Sequence, residues 1–300
     1  MAEALASGAS VRKDVGVQVP PRAPLSFERE TCVRRYTVMN LVADYFLPPQ
    51  IKIFVRASLS RIVGFSPVSS WAEGVKKSSG YDTANTAVPI VANTKKMLLD
   101  LPGISHASSR FQQIATAMMF CLAETRSNES RPYRILDVGG GGGDYYFYFQ
   151  RFIPGLQFNW TVLETKTFAQ AFENRTNEQI SWIDTVDDLK PDYDIVLMSG
   201  VLQYIEDWNY MLGKAASVSN FVILNRLPLR QGRDDRVALQ RNRYGKTRNS
   251  YPAHFFSESK FLAVIRNLGR IEMQWNVPED QAVFRWRTSF YQGLILRVKK

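Results

Sequence analysis

The stretch that decides the fold reads Ile135-Leu-Asp-Val-Gly-Gly-Gly-Gly-Gly-Asp144. Its apolar start, together with Tyr133 and Arg134, predicts a short buried β-strand that ends at Val138. Five glycines follow, and glycine lets a backbone adopt positive φ and come close to a bound molecule. Asp144 and a run of aromatic residues then begin a helix. The stretch therefore predicts a strand, a turn suited to a ligand, and a helix.

Further apolar segments on both sides of this stretch indicate an α/β fold. Short buried strands are predicted at 133–138, 160–164, 180–183, 194–199, 221–225, 271–275 and 291–298, with helices between most of them. One helix is well marked, with Ser257 as its N-cap and Gly269 as its stop. Strands that alternate with helices predict a doubly wound, mostly parallel sheet that binds ligands at the carboxyl ends of its strands.

The N-terminal part of the chain is organised differently. Residues 1–38 are small, polar and proline-bearing, which predicts a disordered tail. Met39 opens the first patterned segment and is an alternative start to Met1. Residues 39–130 are predicted to be a helical region, and 131–300 the ligand-binding domain. Residues 50–64 are predicted to form a basic amphipathic helix. Its apolar face could pack on the domain or contact a membrane surface.

Charge and composition restrict the classes of partner that we expect the chain to bind. The net charge of +10 favours an anionic partner, although a solvated basic surface explains it equally well. The two cysteines are far apart and there are only two histidines, so we expect no metal site. The sequence has no apolar run of membrane-spanning length and no leader pattern, so we expect a cytoplasmic protein. If residues 50–64 contact a membrane, we expect it to be the inner membrane surface.

The spacing of the glycines discriminates between nucleotide-binding loops. A phosphate-binding P-loop requires a lysine that is missing here, and no register completes the dinucleotide pattern G-x-G-x-x-G. The pattern D-x-G-x-G-x-G does fit, at Asp137, Gly139, Gly141 and Gly143, with Gly140 between them. It resembles the first motif of class I S-adenosylmethionine-dependent methyltransferases. The resemblance implies S-adenosylmethionine as cofactor and a Rossmann-like fold with an antiparallel last strand and an N-terminal helical lid.

Acidic and polar residues follow the next strands. Glu164 ends the second strand, where a carboxylate accepts hydrogen bonds from ribose hydroxyls. Asp184 follows the third strand, and in the methyltransferase fold an acid near this position often meets the adenine amino group; a solvated turn acid is the alternative. Ser199 ends the fourth strand and Gln203 follows it, and the two complete the predicted cofactor-binding residues.

The stretch Ser199-Gly-Val-Leu-Gln-Tyr204 resembles a methyltransferase family associated with bacterial surface-polysaccharide gene clusters, whose acceptors are largely undefined. The resemblance covers about residues 45 to 298 and departs from the family pattern at Asp144 and at residues 104–111. Its other matching segments are Ser70-Trp71 with Glu73, Gly80-Tyr81-Asp82, Tyr145-Tyr146 after the glycine loop, Asn225-Arg226 with Pro228, and Tyr251-Pro252 with Phe255-Phe256-Ser257. It implies O-methylation of a small molecule, a glycan or a nucleotide sugar.

Residues 228–256 form a basic insert between the fifth predicted strand and the helix that begins at Ser257. By topology the insert lies at the carboxyl ends of the strands, so we expect it to contact the methyl acceptor. Its arginines favour an anionic acceptor, and an exposed basic loop is the alternative. His254 is the candidate general base, because the pKa of histidine lies near neutrality; a histidine packed in the protein is the alternative. Tyr204 is a further catalytic candidate. The pair Tyr81-Asp82 joins them only if the N-terminal helices fold over the site.

Two other classes of function remain open. The basic charge suits an RNA methyltransferase, which ranks lower because no separate RNA-binding module is visible. A non-catalytic nucleoside-binding protein would bind the cofactor without turnover.

Overall fold

The computed structural model describes residues 64–82, 84–103, 108–125, 131–244, 247–284 and 287–300. The predicted tail at 1–38, the alternative start at Met39 and residues 50–63 of the predicted basic helix lie outside these ranges. Gly64, the last residue of that predicted helix, begins a strand instead. None of the described helices is long and apolar enough to cross a membrane.

The described strands form one ten-stranded sheet. They are β1 (Gly64–Val68), β2 (Tyr133–Val138), β3 (Phe158–Leu163), β4 (Ile180–Ile183), β5 (Tyr193–Ser199), β6 (Ser219–Arg230), β7 (Arg236–Tyr244), β8 (Thr247–Ser257), β9 (Gly269–Phe284) and β10 (Arg287–Val298). The main part has the order β4-β3-β2-β5-β6-β10-β9. The first five of these strands pair in parallel, and β10 is antiparallel to both of its neighbours. This confirms the predicted doubly wound, mostly parallel, Rossmann-like sheet with an antiparallel last strand.

Helices cover this sheet. They are α1 (Trp71–Lys77), α2 (Ala84–Asp100), α3 (Ser109–Glu124), α4 (Asp144–Phe152), α5 (Lys166–Phe172), α6 (Trp208–Ser217) and α7 (Glu258–Leu268). Ser70 and Ser108 cap α1 and α3 by accepting hydrogen bonds from backbone N–H groups of the first turn. Ser257 precedes α7 as predicted, but its hydroxyl donates to the carbonyl of Gly232 instead of capping the helix.

The core explains why the central strands are so apolar. Every residue of β5 is buried, as expected for a parallel strand covered on both faces. The aromatic run after the glycine loop forms the buried face of α4, where Tyr148 and Phe149 pack on Phe111 of α3. This packing fixes α4, and with it the end of the glycine loop, against the sheet.

The predicted basic insert folds as a hairpin. Strands β7 and β8 pair antiparallel, and β1 adds to the outer edge of β7. The hairpin is joined to the main sheet because β6 runs on to Arg230, well beyond the predicted end at residue 225, and pairs with β8 at Leu229 and Phe256. The N-terminal region is therefore not wholly helical, since it contributes β1 to this hairpin.

Candidate functional site

The glycine loop has the backbone conformation that its sequence predicts. Gly139, Gly141 and Gly143 have φ values of 68°, 59° and 79°. The N–H of Gly139 donates to the carbonyl of Leu163 at 2.8 Å, which ties the start of the loop to the end of β3. The indole of Trp182, which the sequence did not single out, donates to the carbonyl of Gly141 at 2.9 Å.

The space around the loop differs between its glycines. A Cβ at Gly140 would lie 2.6 Å from Oδ2 of Asp137, and a Cβ at Gly142 would lie 2.3 Å from Oγ1 of Thr94. A Cβ at Gly141 would meet no atom within 4 Å beyond its chain neighbours. Gly141 is thus buried as a residue but has open space beside its Cα atom.

The predicted acid of the second strand lies beside that open residue. Glu164 is only 1% exposed. Its Oε1 accepts a hydrogen bond from the N–H of Gly141 at 2.9 Å, and its Oε2 accepts one from the N–H of Thr165 at 3.0 Å. Asp137 is also completely buried, at the end of β2. The two acids that the sequence predicted are therefore brought together by the glycine loop.

The N-terminal segments lie against this edge of the sheet. Tyr81 is buried and stacks on Phe168 of α5, with ring centroids 5.0 Å apart. Asp82 accepts hydrogen bonds from the hydroxyl of Thr165 at 2.8 Å and from the N–H of Thr167 at 3.2 Å. Together with the closeness of Thr94 to Gly142, these contacts place two parts of the N-terminal region, around Asp82 and Thr94, beside the predicted cofactor residues.

Asp184 has a different environment. It is exposed and directly follows β4, at the same edge of the sheet as the glycine loop. Its position agrees with the predicted topology, while its adenine contact remains a prediction.

A chain of buried polar groups starts at the end of β5. Ser199 is completely buried, and its hydroxyl lies 3.2 Å from the hydroxyl of Tyr145. The amide of Asn225 donates to the same Ser199 hydroxyl at 3.5 Å, and the indole of Trp275 donates to Asn225 Oδ1 at 3.0 Å. Through Asn225, Ser199 thus links the helix after the glycine loop to the middle of β6 and of β9.

The 3₁₀ turn Leu202–Tyr204 carries two predicted residues. Gln203 is 2% exposed, and its Oε1 has no hydrogen-bond partner within the described residues. Tyr204 donates to Oε1 of Gln240 at 2.6 Å and packs edge-on against Tyr251 of β8. The turn therefore connects the end of β5 to the basic hairpin.

His254 lies on β8 in a mostly aromatic environment. Its ring stacks on Trp71 with centroids 4.5 Å apart and on Phe256 at 5.8 Å. Nε2 has no hydrogen-bond partner within the described residues. Burial lowers the pKa of His254 below its ordinary value, partly opposed by the backbone of residues 205 and 206 and by the charge of Asp235. The imidazole is therefore neutral at neutral pH.

The charges of the basic hairpin are partly engaged within the protein. Arg230 donates to the carbonyl of Asp234, and Arg241 donates to Ser66 of β1. Arg233 and Arg236 are exposed. Lys246 and the side chains of Arg243 and Arg248 lie outside what the structure describes. Within the described residues, no group of three or more histidine, cysteine or acidic side chains is placed to hold a metal ion.

No protein family and no curated protein matches the sequence. Among solved structures, the N-terminal domain of EvdMO1 with S-adenosylhomocysteine bound is 17% identical, covering 64% of this chain and 82% of that one, with a TM-score of 0.42. The Burkholderia thailandensis 1,6-didemethyltoxoflavin-N1-methyltransferase with bound 1,6-didemethyltoxoflavin and S-adenosylhomocysteine is 15% identical, covering 79% and 95%, with a TM-score of 0.41. An O-methyltransferase family protein from Burkholderia thailandensis is 10% identical, covering 90% and 96%, with a TM-score of 0.38. At such low similarity, the assignment of a function depends on the residues of this chain.

Proposed function

We propose that this chain is an S-adenosylmethionine-dependent methyltransferase that methylates a hydroxyl of a small-molecule, glycan or nucleotide-sugar acceptor. The observation that carries the proposal is the buried Glu164 carboxylate, which lies beside the open residue Gly141 of a loop with three left-handed glycines. This arrangement offers a close backbone approach and a carboxylate for ribose hydroxyls.

Two further residues suit the cofactor. The buried Oε1 of Gln203 has no partner within the described residues, so it can accept from the ammonium group of a bound amino acid. Asp184 follows β4, on the side of β3 where an adenine would lie. Asp137, Gly139, Gly140, Gly143 and Ser199 complete the proposed cofactor site. When bound, S-adenosylmethionine supplies a methyl group on a positively charged sulfur.

The tasks left to the protein are to position the acceptor, exclude water and remove a proton from a hydroxyl nucleophile. We assign the removal of this proton to His254, because the neutral imidazole is the form that accepts a proton. Tyr204 donates its own proton to Gln240, so its proposed role is to position the acceptor hydroxyl. The N-terminal segment with Asp82 and Thr94 is the proposed lid, because Asp82 accepts a hydrogen bond from Thr165 and Thr94 lies close to Gly142.

The basic hairpin at residues 228–256 is the proposed acceptor side. It extends from the end of β6 and carries exposed Arg233 and Arg236, which suit an acidic or phosphorylated acceptor. We propose a cytoplasmic protein.

Transfer of a labelled methyl group from S-adenosylmethionine tests the proposal. The acceptors offered would be nucleotide sugars, sugar phosphates, neutral sugars and RNA, each with the wild-type chain and with Glu164→Ala. The expected product is a labelled small molecule whose formation depends on Glu164. Label only in RNA would favour the RNA methyltransferase, and saturable cofactor binding without any product would favour the nucleoside-binding protein.

A further inference from the structure

Strand β6 contains an irregularity at Asn225 and Arg226, beside the end of β5. In its pairing with β10, Leu224 lies opposite Leu294 and Leu227 lies opposite Gln292. Asn225 and Arg226 therefore share the space opposite one residue, as in a β-bulge, which re-aims a side chain.

The surroundings fix this bulge. Trp275 donates a hydrogen bond to Asn225 at 3.0 Å. A Cβ at Gly293, the residue opposite the bulge, would lie 2.2 Å from Cε2 of Trp275, so only glycine fits there. The bulge is therefore held from the neighbouring strand.

Arg226 adopts a conformation that is costly for its type. Its φ is 60°, a left-handed value that an L side chain disfavours and that glycine would adopt without strain. Such strain persists where the surrounding structure enforces it, and it clusters at functional sites.

The strain places the guanidinium at the end of β5. A Cβ at Gly200 would lie 2.8 Å from Nη1 and 3.3 Å from Cζ of Arg226. Gly200 itself has a φ of 70°, and its N–H donates to the carbonyl of Asn225 at 2.8 Å. The two neighbouring strands thus present a half-buried guanidinium beside Ser199, at the edge where an open α/β sheet binds its ligands.

We propose that Arg226 is a specificity-determining residue that binds the carboxylate or phosphate group of the methyl acceptor. This proposal rests on the proposed function and narrows the acceptor to a molecule that carries an anionic group. A guanidinium offers five N–H donors in a planar fork, so it can hold an anion in addition to its contacts within the protein. Its place on β6, at the root of the basic hairpin, favours the acceptor as the source of the anion.

The test uses nuclear magnetic resonance of the arginine Nε–Hε groups in the full chain saturated with S-adenosylhomocysteine. The signal of Arg226 is identified by its loss in Arg226→Lys. The probes are glucose 1-phosphate and D-glucuronate as anions and D-glucose as their neutral counterpart. Arg226→Gln removes the anion donor, and Arg266→Gln is the matched control, because Arg266 is exposed in the last turn of α7.

We expect the Arg226 signal to shift saturably with at least one anion and not with D-glucose. The affinity for that anion should fall at least about tenfold in Arg226→Gln and stay unchanged in Arg266→Gln. Equal anion affinity in Arg226→Gln, or a signal that responds to no anion, would overturn the proposal. In a separate titration of the ligand-free chain, an Arg226 signal that moves with S-adenosylhomocysteine, although it moves with neither anion in the saturated chain, would assign Arg226 to the cofactor carboxylate and would also overturn the proposal. Failure of S-adenosylhomocysteine to bind the wild-type chain would instead contradict the proposed function.

Discussion

Glu164 Oε1 accepts a hydrogen bond from the N–H of Gly141 at 2.9 Å, in the buried corner where β2 and β3 end. The contact links two features that are 23 residues apart in sequence. It holds a left-handed glycine in place and keeps a carboxylate next to the open part of the loop. One side chain thus orders the loop and is the proposed partner of the cofactor ribose.

Replacing Glu164 should weaken cofactor binding strongly. Hydrogen bonds to a charged group contribute about 1.5–3 kcal/mol each, so Glu164→Ala should weaken the binding of S-adenosylhomocysteine by roughly tenfold to a hundredfold. Isothermal titration calorimetry measures this. Glu173→Gln is the control, because Glu173 is exposed. Unchanged affinity in Glu164→Ala would contradict the ribose assignment.

Two glycines with open surroundings should respond to alanine in opposite ways. Neither Gly141 nor Gly213 has an atom within 4 Å of its would-be Cβ, but Gly141 has a φ of 59° and Gly213 lies inside α6. Gly213→Ala should raise the free energy of unfolding by about 0.5–1 kcal/mol and leave cofactor affinity unchanged. Gly141→Ala should lower the free energy of unfolding by about 1–2 kcal/mol and weaken S-adenosylhomocysteine binding, because the new methyl group occupies the ligand side of the loop. Urea unfolding and calorimetry measure the two effects. Wild-type affinity in Gly141→Ala would mean that the ligand does not approach there.

The buried ion pair at the opposite end of β5 should matter for stability and not for binding. Asp194 is fully buried; it accepts two hydrogen bonds from the guanidinium of Arg131 and one from the N–H of Arg134, all at 2.8 Å. Asp194→Asn should lower the free energy of unfolding by at least about 2 kcal/mol, since it leaves the guanidinium without its carboxylate. The folded variant should bind S-adenosylhomocysteine normally. The exposed Asp192 provides the control Asp192→Asn, which should unfold like the wild type. A change in cofactor affinity in Asp194→Asn would contradict this separation.

His254 should make stability fall in mild acid. Burial lowers the pKa of His254 in the folded chain, whereas in the unfolded chain it stays near 6.5. As the pH falls below about 6.5, the unfolded chain takes up a proton that the folded chain resists, so the free energy of unfolding decreases until the folded pKa is reached. Urea unfolding across this range should show the decrease in the wild type and a smaller decrease in His254→Gln. The same pH dependence in both chains would contradict the burial of the imidazole.

The sequence was sufficient for the central fold because its signals there are local. The apolar run before Gly139 predicted β2, and the acid at residue 164 was expected at the end of the next strand, where it lies. The positive φ values at Gly139, Gly141 and Gly143 follow from the spacing that distinguished this loop from a dinucleotide loop. These features depend on nearest neighbours along the chain.

The acceptor side depended on contacts that no local pattern contains. The bulge at Arg226 exists because Gly293 and Trp275 approach it from strands far along the chain. Similarly, the hairpin at residues 228–256 gains β1 from the N-terminal region, and Trp182 reaches the glycine loop from β4. The glycine that follows Ser199 was the signal that could have indicated the close approach of Arg226.

Calorimetry of the wild-type chain with S-adenosylhomocysteine and, separately, with NAD is the most direct test of the proposed cofactor. Both ligands contain an adenosine whose ribose can meet Glu164, but the loop lacks the glycine spacing that a dinucleotide requires. We expect saturable binding of S-adenosylhomocysteine at one site and no binding of NAD. Binding of NAD without binding of S-adenosylhomocysteine would contradict it.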